Sequence, residues 1–195
     1  DHSIPFTAIE FGFRGGTSLD APDKRGAVYL MTGLIEEGAA DLDARAYARE
    51  LESLAASFSY DASSDAVTVS VRMLTENRDQ VADLLYDTLH KTRFDQEAID
   101  RVRAQVISGL RSDAKDPGDI AGRTFRAMTY GDHPYGSDGK GSIDTVSALT
   151  RDDIVAAHRG VFARDRLYVG AVGDITAEEL SKLLDRLLLD LPETG

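Results

Sequence analysis

The chain has no cysteine. Thiolate zinc sites, cysteine nucleophiles and disulfides are excluded at once. The compartment stays open, because an exported protein can do without disulfides. No apolar run approaches the roughly 18 residues of a membrane-spanning helix, and no signal-peptide pattern is visible. Histidine is scarce: His2, His90, His133 and His158. No two of them stand three or four residues apart, so no helix presents a histidine pair to a metal. His90 and His158 fall late in helical stretches, where a cation suits the helix dipole, and His2 is terminal. The strand–turn–helix serine elbow G-x-S-x-G is missing as well. The glycines of YGSDGKGS look like a phosphate loop, but Lys140 is followed by Gly141 where Ser or Thr is required, and the loop follows a helix instead of a strand. Glu36 and Glu37 could pass for a catalytic carboxylate pair. Helical neighbours point about 100° apart, so the two do not converge and read as a solvated helix end.

What is present is an acidic chain with enough apolar residues for a core. Of its 195 residues, 42 % are apolar and 29 % charged, the balance of an ordinary globular protein. The formal net charge of -12 repels nucleic acid and anionic lipid, which discounts both as partners. The chain opens on DHSIPFTAIEFGF, already close to a strand, and ends on LPETG just after a helix; both ends read as cut, as in a fragment of a longer precursor.

Periodicity supplies the elements. FTAIEFGF alternates partially and reads as a strand, followed by the polar, glycine-rich RGGTSLDAPDKRG. The apolar GAVYLMTGLIEEGA predicts a helix over about 24–37, stopped by Gly38. A second helix follows at about 43–56 with Tyr47, Leu51 and Leu54 on one face. Two strands come next, SFSYDAS and DAVTVSVRML, joined by a polar turn at Ser63, Ser64 and Asp65. In the second, Val67, Val69, Val71 and Met73 alternate with Ala66, Thr68, Ser70 and Arg72, as in an antiparallel sheet wet on one face. Four helices then run from about Asn77, Asp95, Gly118 and Thr150, the second broken by Asp116 and Pro117. RLYVGAVGD is a strand, and Thr176 starts a last helix to Leu191. Hairpin-like strands with long helical insertions imply an α+β fold, a mainly antiparallel sheet covered by helices, in a single domain over residues 1–195.

Laid end to end, these pieces resemble the M16 peptidases, the pitrilysin, insulinase and processing-peptidase-like zinc proteases. The family's opening strand and GS or GT turn are matched by FGFRGGTS. Its G-x-A-H-x-x-E-H helix is matched from Gly26, and the glycine beyond it by Gly38. YGDHPYG matches its later hPYG segment, and LTRDDIVAAHRGVFARDRLYVGAVGDIT matches its last stretch, ending on Gly173 and Asp174. The resemblance covers nearly the whole chain, and the order and gaps of five weak motifs carry it. The first strand and the L-x-N-G segment before it are mostly missing.

The resemblance implies that Tyr29 stands at the first zinc histidine, Thr32 at the glutamate that activates water, and Gly33 at the second histidine. Counting forward from Gly33 and back from Pro117 both place Gly109 at the third ligand, a glutamate in the family. No catalytic residue or metal ligand is therefore carried over. The chain resembles the inactive modules, and would be the N-terminal half of one, with the second half absent. That half holds the family's substrate-polarising Arg and Tyr. In the family, a degenerate module and a zinc-bearing module close as a clamshell around an unfolded peptide, and bacterial versions often split them onto separate chains. The expected function is a non-catalytic module, inactive alone, in a heterodimer with a catalytic M16 subunit that holds the zinc. The resemblance places it in the periplasm; a cytoplasmic location is the alternative. A scaffolding subunit of the same fold, or an enzyme with an unrecognised site, are the competing readings.

Overall fold

The computed structural model describes residues 3–195, so His2 lies outside the described residues. Four antiparallel strands form the main sheet in the order β4-β5-β1-β6. β1 (Phe6–Arg14) runs through its centre, paired with β5 (Ala66–Leu74) on one side and β6 (Leu167–Gly173) on the other. β4 (Ser57–Ala62) forms the outer edge beside β5. The alternation seen in the sequence is the alternation of the sheet. Thr7, Ile9, Phe11 and Phe13 of β1 are buried, as are Val67, Val69, Val71 and Met73 of β5, while Glu10 and Arg72 on the other face are exposed. Phe11 sits opposite Val69 and Val169, so the register stacks apolar residues across three strands. Burying each such side chain stabilises the fold by about 1.5–3 kcal/mol.

Helices cover the buried face. They are α1 (Ala27–Thr32), α3 (Arg78–His90), α4 (Gln96–Asp113), α7 (Arg151–Val161) and α8 (Ala177–Leu188), and all five contribute residues to one continuous core. A two-stranded clip, β2 (Gly38–Ala39) and β3 (Leu42–Asp43), leads into α2 (Ala44–Ser53). α2 locks to α3 through the buried Tyr47 hydroxyl and Thr88 Oγ1, 2.9 Å apart. α5 (Pro117–Tyr130) lies outside the core: it buries no residue, and Phe125 and Met128 stand largely exposed. No helix among the described residues is long and apolar enough to cross a membrane.

Several boundaries follow from capping. Asp116 ends α4 and starts α5, accepting from the N–H groups of Gly118 and Asp119, with Pro117 at the first helical position. Thr150 with Asp153, and Thr176 with Glu179, form reciprocal capping boxes on α7 and α8. The α8 helix ends at Leu188, short of the expected Leu191.

The expected helix over 24–37 is three pieces instead: a 3-10 turn at Pro22–Lys24, the short α1, and a second 3-10 turn at Ile35–Glu37. Gly26 sits at φ +96°, outside helical space, and Gly33 closes the helix at its other end. The Leu34 N–H bonds Met31 O in the tighter i→i+3 pattern. Burial continues from α1 through Leu34 and Ile35 into the second turn, so periodicity alone could not locate the break at Gly33. Glu36 is exposed, and Glu37 pairs with Arg101 on α4. A further helix, α6 (Ile143–Ala148), was not anticipated; Ser142 and Thr145 cap it reciprocally inside what reads as a loop.

Candidate functional site

The site begins with how α1 is held. The β1–α1 loop docks on the β4–β5 turn, with the Gly15 N–H bonding Asp65 O at 2.6 Å and the Thr17 N–H bonding Ser63 O at 2.9 Å. The loop then delivers Asp20 to the start of α1. Its carboxylate accepts from the N–H groups of Gly26 (2.9 Å) and Val28 (3.0 Å) and so caps the helix from outside its own sequence. Burial pushes this carboxyl up to about 6, while the Val28 and Gly26 bonds and the Arg25 charge pull it back. Gly26 is needed twice over. A β-carbon there would require the strained φ and would lie 2.6 Å from Lys140 O, so only glycine lets the Lys140 loop rest against the helix start.

This arrangement opens a cleft of about 410 Å³ between α1, α4 and β4. Tyr29, Thr32 and Gly33 line it from α1, and Val102, Gln105, Val106 and Gly109 from α4. Tyr60 and its neighbours on β4 make the third wall, and Lys140 joins the lining. The four positions singled out in the sequence, Tyr29, Thr32, Gly33 and Gly109, thus meet around one space. Lys140, Gln105 and Tyr60 were missed as members of it. Gln105 was within reach of sequence reasoning, since it falls four residues before Gly109 and shares its helical face. Lys140 was not, because a loop has no periodicity to exploit.

The donor set decides what this cleft can do. Hydrolytic zinc needs three protein ligands and an open position, with a base to take the proton from water. Tyr29, Gly33 and Gly109 offer one phenol and two glycines. Thr32 is no base, and its hydroxyl donates back to Val28 O at 2.8 Å. Among the described residues, no three His, Asp or Glu side chains gather so that they could hold a metal ion. These residues do not fit a catalytic zinc centre. Space is not what prevents it: a β-carbon on Gly109 would meet nothing within 4 Å, and one on Gly33 would meet only Val102 Cγ1, at 3.3 Å, beyond its own helix.

His90, His133 and His158 lie elsewhere and are structural. His90 Nε2 lies 2.8 Å from Leu187 O, tying α3 to α8, and His133 Nδ1 accepts from the Tyr135 N–H in the α5–α6 loop. His158 packs against the rings of Phe94 and Phe162. Burial, reinforced by the charges of His90 and Arg159, drives its ring down to about 4. In the unfolded chain it titrates near the ordinary 6.5, so between those values only the unfolded state binds the proton. The stabilisation from keeping the ring neutral is complete above 6.5 and is lost as the pH falls towards 4. At about pH 5 it has dropped by about 2 kcal/mol. We therefore expect the stability gap between the natural chain and His158→Gln, from urea unfolding, to shift by that amount between about pH 7.5 and about pH 5. A gap that stays constant would show the ring to be solvated or already charged.

Comparison with known proteins identifies the family. The family model "Insulinase (Peptidase family M16)" matches residues 1–138. The chain belongs to peptidase family M16. Among curated M16 relatives it is similar to the "Non-peptidase homolog YmxG" of Helicobacter pylori, 26 % identical over 193 residues that cover 99 % of this chain and 45 % of that protein. Among solved structures, an M16 inactive domain from Pseudomonas fluorescens superposes with a TM-score of 0.94 at 24 % identity, covering 99 % of this chain and 47 % of that one. The periplasmic protease PqqL of Escherichia coli gives 0.83 at 16 % identity, over 100 % of this chain and 22 % of PqqL. The chain therefore spans about half the length of the first two relatives and has the α+β fold of an N-terminal M16 half-module.

Proposed function

We propose that this chain is half of a non-catalytic M16 module that pairs with a zinc-bearing M16 subunit and helps close a chamber around a peptide substrate. The observation that carries the reading is the cleft itself. It has room for a metal site, at the place where the family resemblance puts one, yet Tyr29, Thr32, Gly33 and Gly109 supply neither ligands nor base. What the cleft retains is a wall function. β4 is one of the two edge strands of the sheet and borders the space, and an extended peptide can add to such an edge through main-chain hydrogen bonds. Zinc and the water it activates belong to the partner on this reading, and this chain contributes shape and backbone hydrogen-bonding groups. The names of the inactive domain and the non-peptidase homologue support a role without independent catalysis. The periplasmic location of PqqL supports the same compartment for the pair.

The test is capture of the full-length protein from a native extract of its source, followed by sedimentation of the complex. We expect an equimolar zinc-bearing M16 chain in the captured material. Recovery of only unrelated chains would contradict the pairing.

A further inference from the structure

We propose that the cleft between α1, α4 and β4 binds a carboxylate carried by an extended peptide, with Lys140 as its counter-ion. This deepens the pairing reading, on which it rests for the ligand being a peptide. Lys140 lines the cleft and, among the described residues, is the only cation on its walls. Its ammonium donates to Asp113 Oδ2 at 2.9 Å, and Asp113 itself lies outside the cleft lining. That bond uses one of three N–H donors and anchors the side chain, leaving two for a ligand. The same bond holds the amine above its ordinary range, so it stays charged at neutral pH.

Two further donors share the space. Among the described residues, neither the Tyr29 hydroxyl nor the Gln105 amide has a hydrogen-bond partner, and Tyr29 is close enough to Lys140 to act on its charge. Asp61 is the one wall residue with a carboxylate. By strand alternation its side chain points to the opposite sheet face from Tyr60, away from the core side. A cation with two free N–H groups, a phenol and an amide form a donor set for an anionic oxygen pair. Val102 and Val106 offer an apolar floor for a neighbouring side chain, and the β4 edge offers the backbone track leading to it. The volume suits the end of a peptide, not its whole length.

The carboxylate has two possible sources, the peptide's C-terminus and an acidic side chain, and the probes separate them. They are fluorescein-labelled Ala/Leu peptides of about eight residues: one a free acid, one C-terminally amidated, one amidated with Glu as its last residue. Each is titrated by anisotropy into the full-length protein without any partner. We expect the free acid to bind roughly tenfold more tightly than the plain amide. Lys140→Gln should erase that preference, and Lys140→Arg should retain most of it. Tyr29→Phe should lower it without abolishing it. If the Glu-ended amide matches the free acid, any peptide carboxylate suffices; if it matches the plain amide, the terminal carboxylate is the one recognised. Equal binding of free acid and plain amide, a preference that survives Lys140→Gln, or no binding of any probe would overturn the inference. Complex formation with the zinc-bearing chain, scored in parallel on a second portion of the same preparation, separates the two ideas. A complex without carboxylate preference sinks only this inference, and preference without a complex sinks only the pairing.

Discussion

Replacing Tyr29 by His, Thr32 by Glu, Gly33 by His and Gly109 by Glu, with Val102→Ala to make room, should give a protein that retains one zinc ion per chain after exhaustive dialysis. The natural chain should retain none. The expectation follows from geometry. Tyr29 and Gly33 stand four residues apart, the spacing that lets two histidines share a metal, Thr32 lies beside them where a glutamate would reach the metal-bound water, and Gly109 faces them from α4 across the same cleft. A β-carbon on Gly109 has open space, and the single close contact at Gly33 is to Val102 Cγ1 at 3.3 Å, which Val102→Ala removes. Because zinc would bind the folded state, a thousandfold excess over the dissociation constant should stabilise the variant by about 4 kcal/mol and the natural chain by nothing. Metal analysis and thermal unfolding read both effects. A folded variant that takes up no zinc would show that the four positions do not converge as a ligand set.

How much of this was visible beforehand depends on which force fixed each element. β1 and β5 were legible because a half-buried strand writes its two faces into alternate residues, and Phe11, Phe13, Val67 and Val69 do so plainly. The starts of α7 and α8 were legible because Thr150 and Thr176 cap locally. The limits of α1 were not. They depend on the preceding loop turning Asp20 back onto the helix start to cap it, and on Gly26 yielding to the backbone of Lys140, far along the chain; neither shows in the apolar pattern. The same holds for the site. Family resemblance picked out Tyr29, Thr32, Gly33 and Gly109 one by one, but their meeting around a single cleft with Lys140 is a product of packing α4 and the α5–α6 loop against α1. Local chemistry can be read from residues in order, whereas a cleft is made by residues that order keeps apart.

The central claim is that this chain helps a metallopeptidase without being one. The measurement that bears on it most directly is peptide cleavage by the full-length protein, alone and mixed with a purified zinc-bearing M16 partner, with zinc content determined on each sample. Alone, the protein should carry no stoichiometric zinc and cleave nothing, since no wall of the cleft supplies a ligand set or a base. Added to the partner at equal concentration, it should raise kcat/KM by about tenfold or more, equivalent to at least about 1.4 kcal/mol of added transition-state stabilisation. Silence alone together with that rise is the predicted result. Stoichiometric zinc, cleavage by the chain on its own, or a partner whose rate is unchanged by its addition would contradict the account.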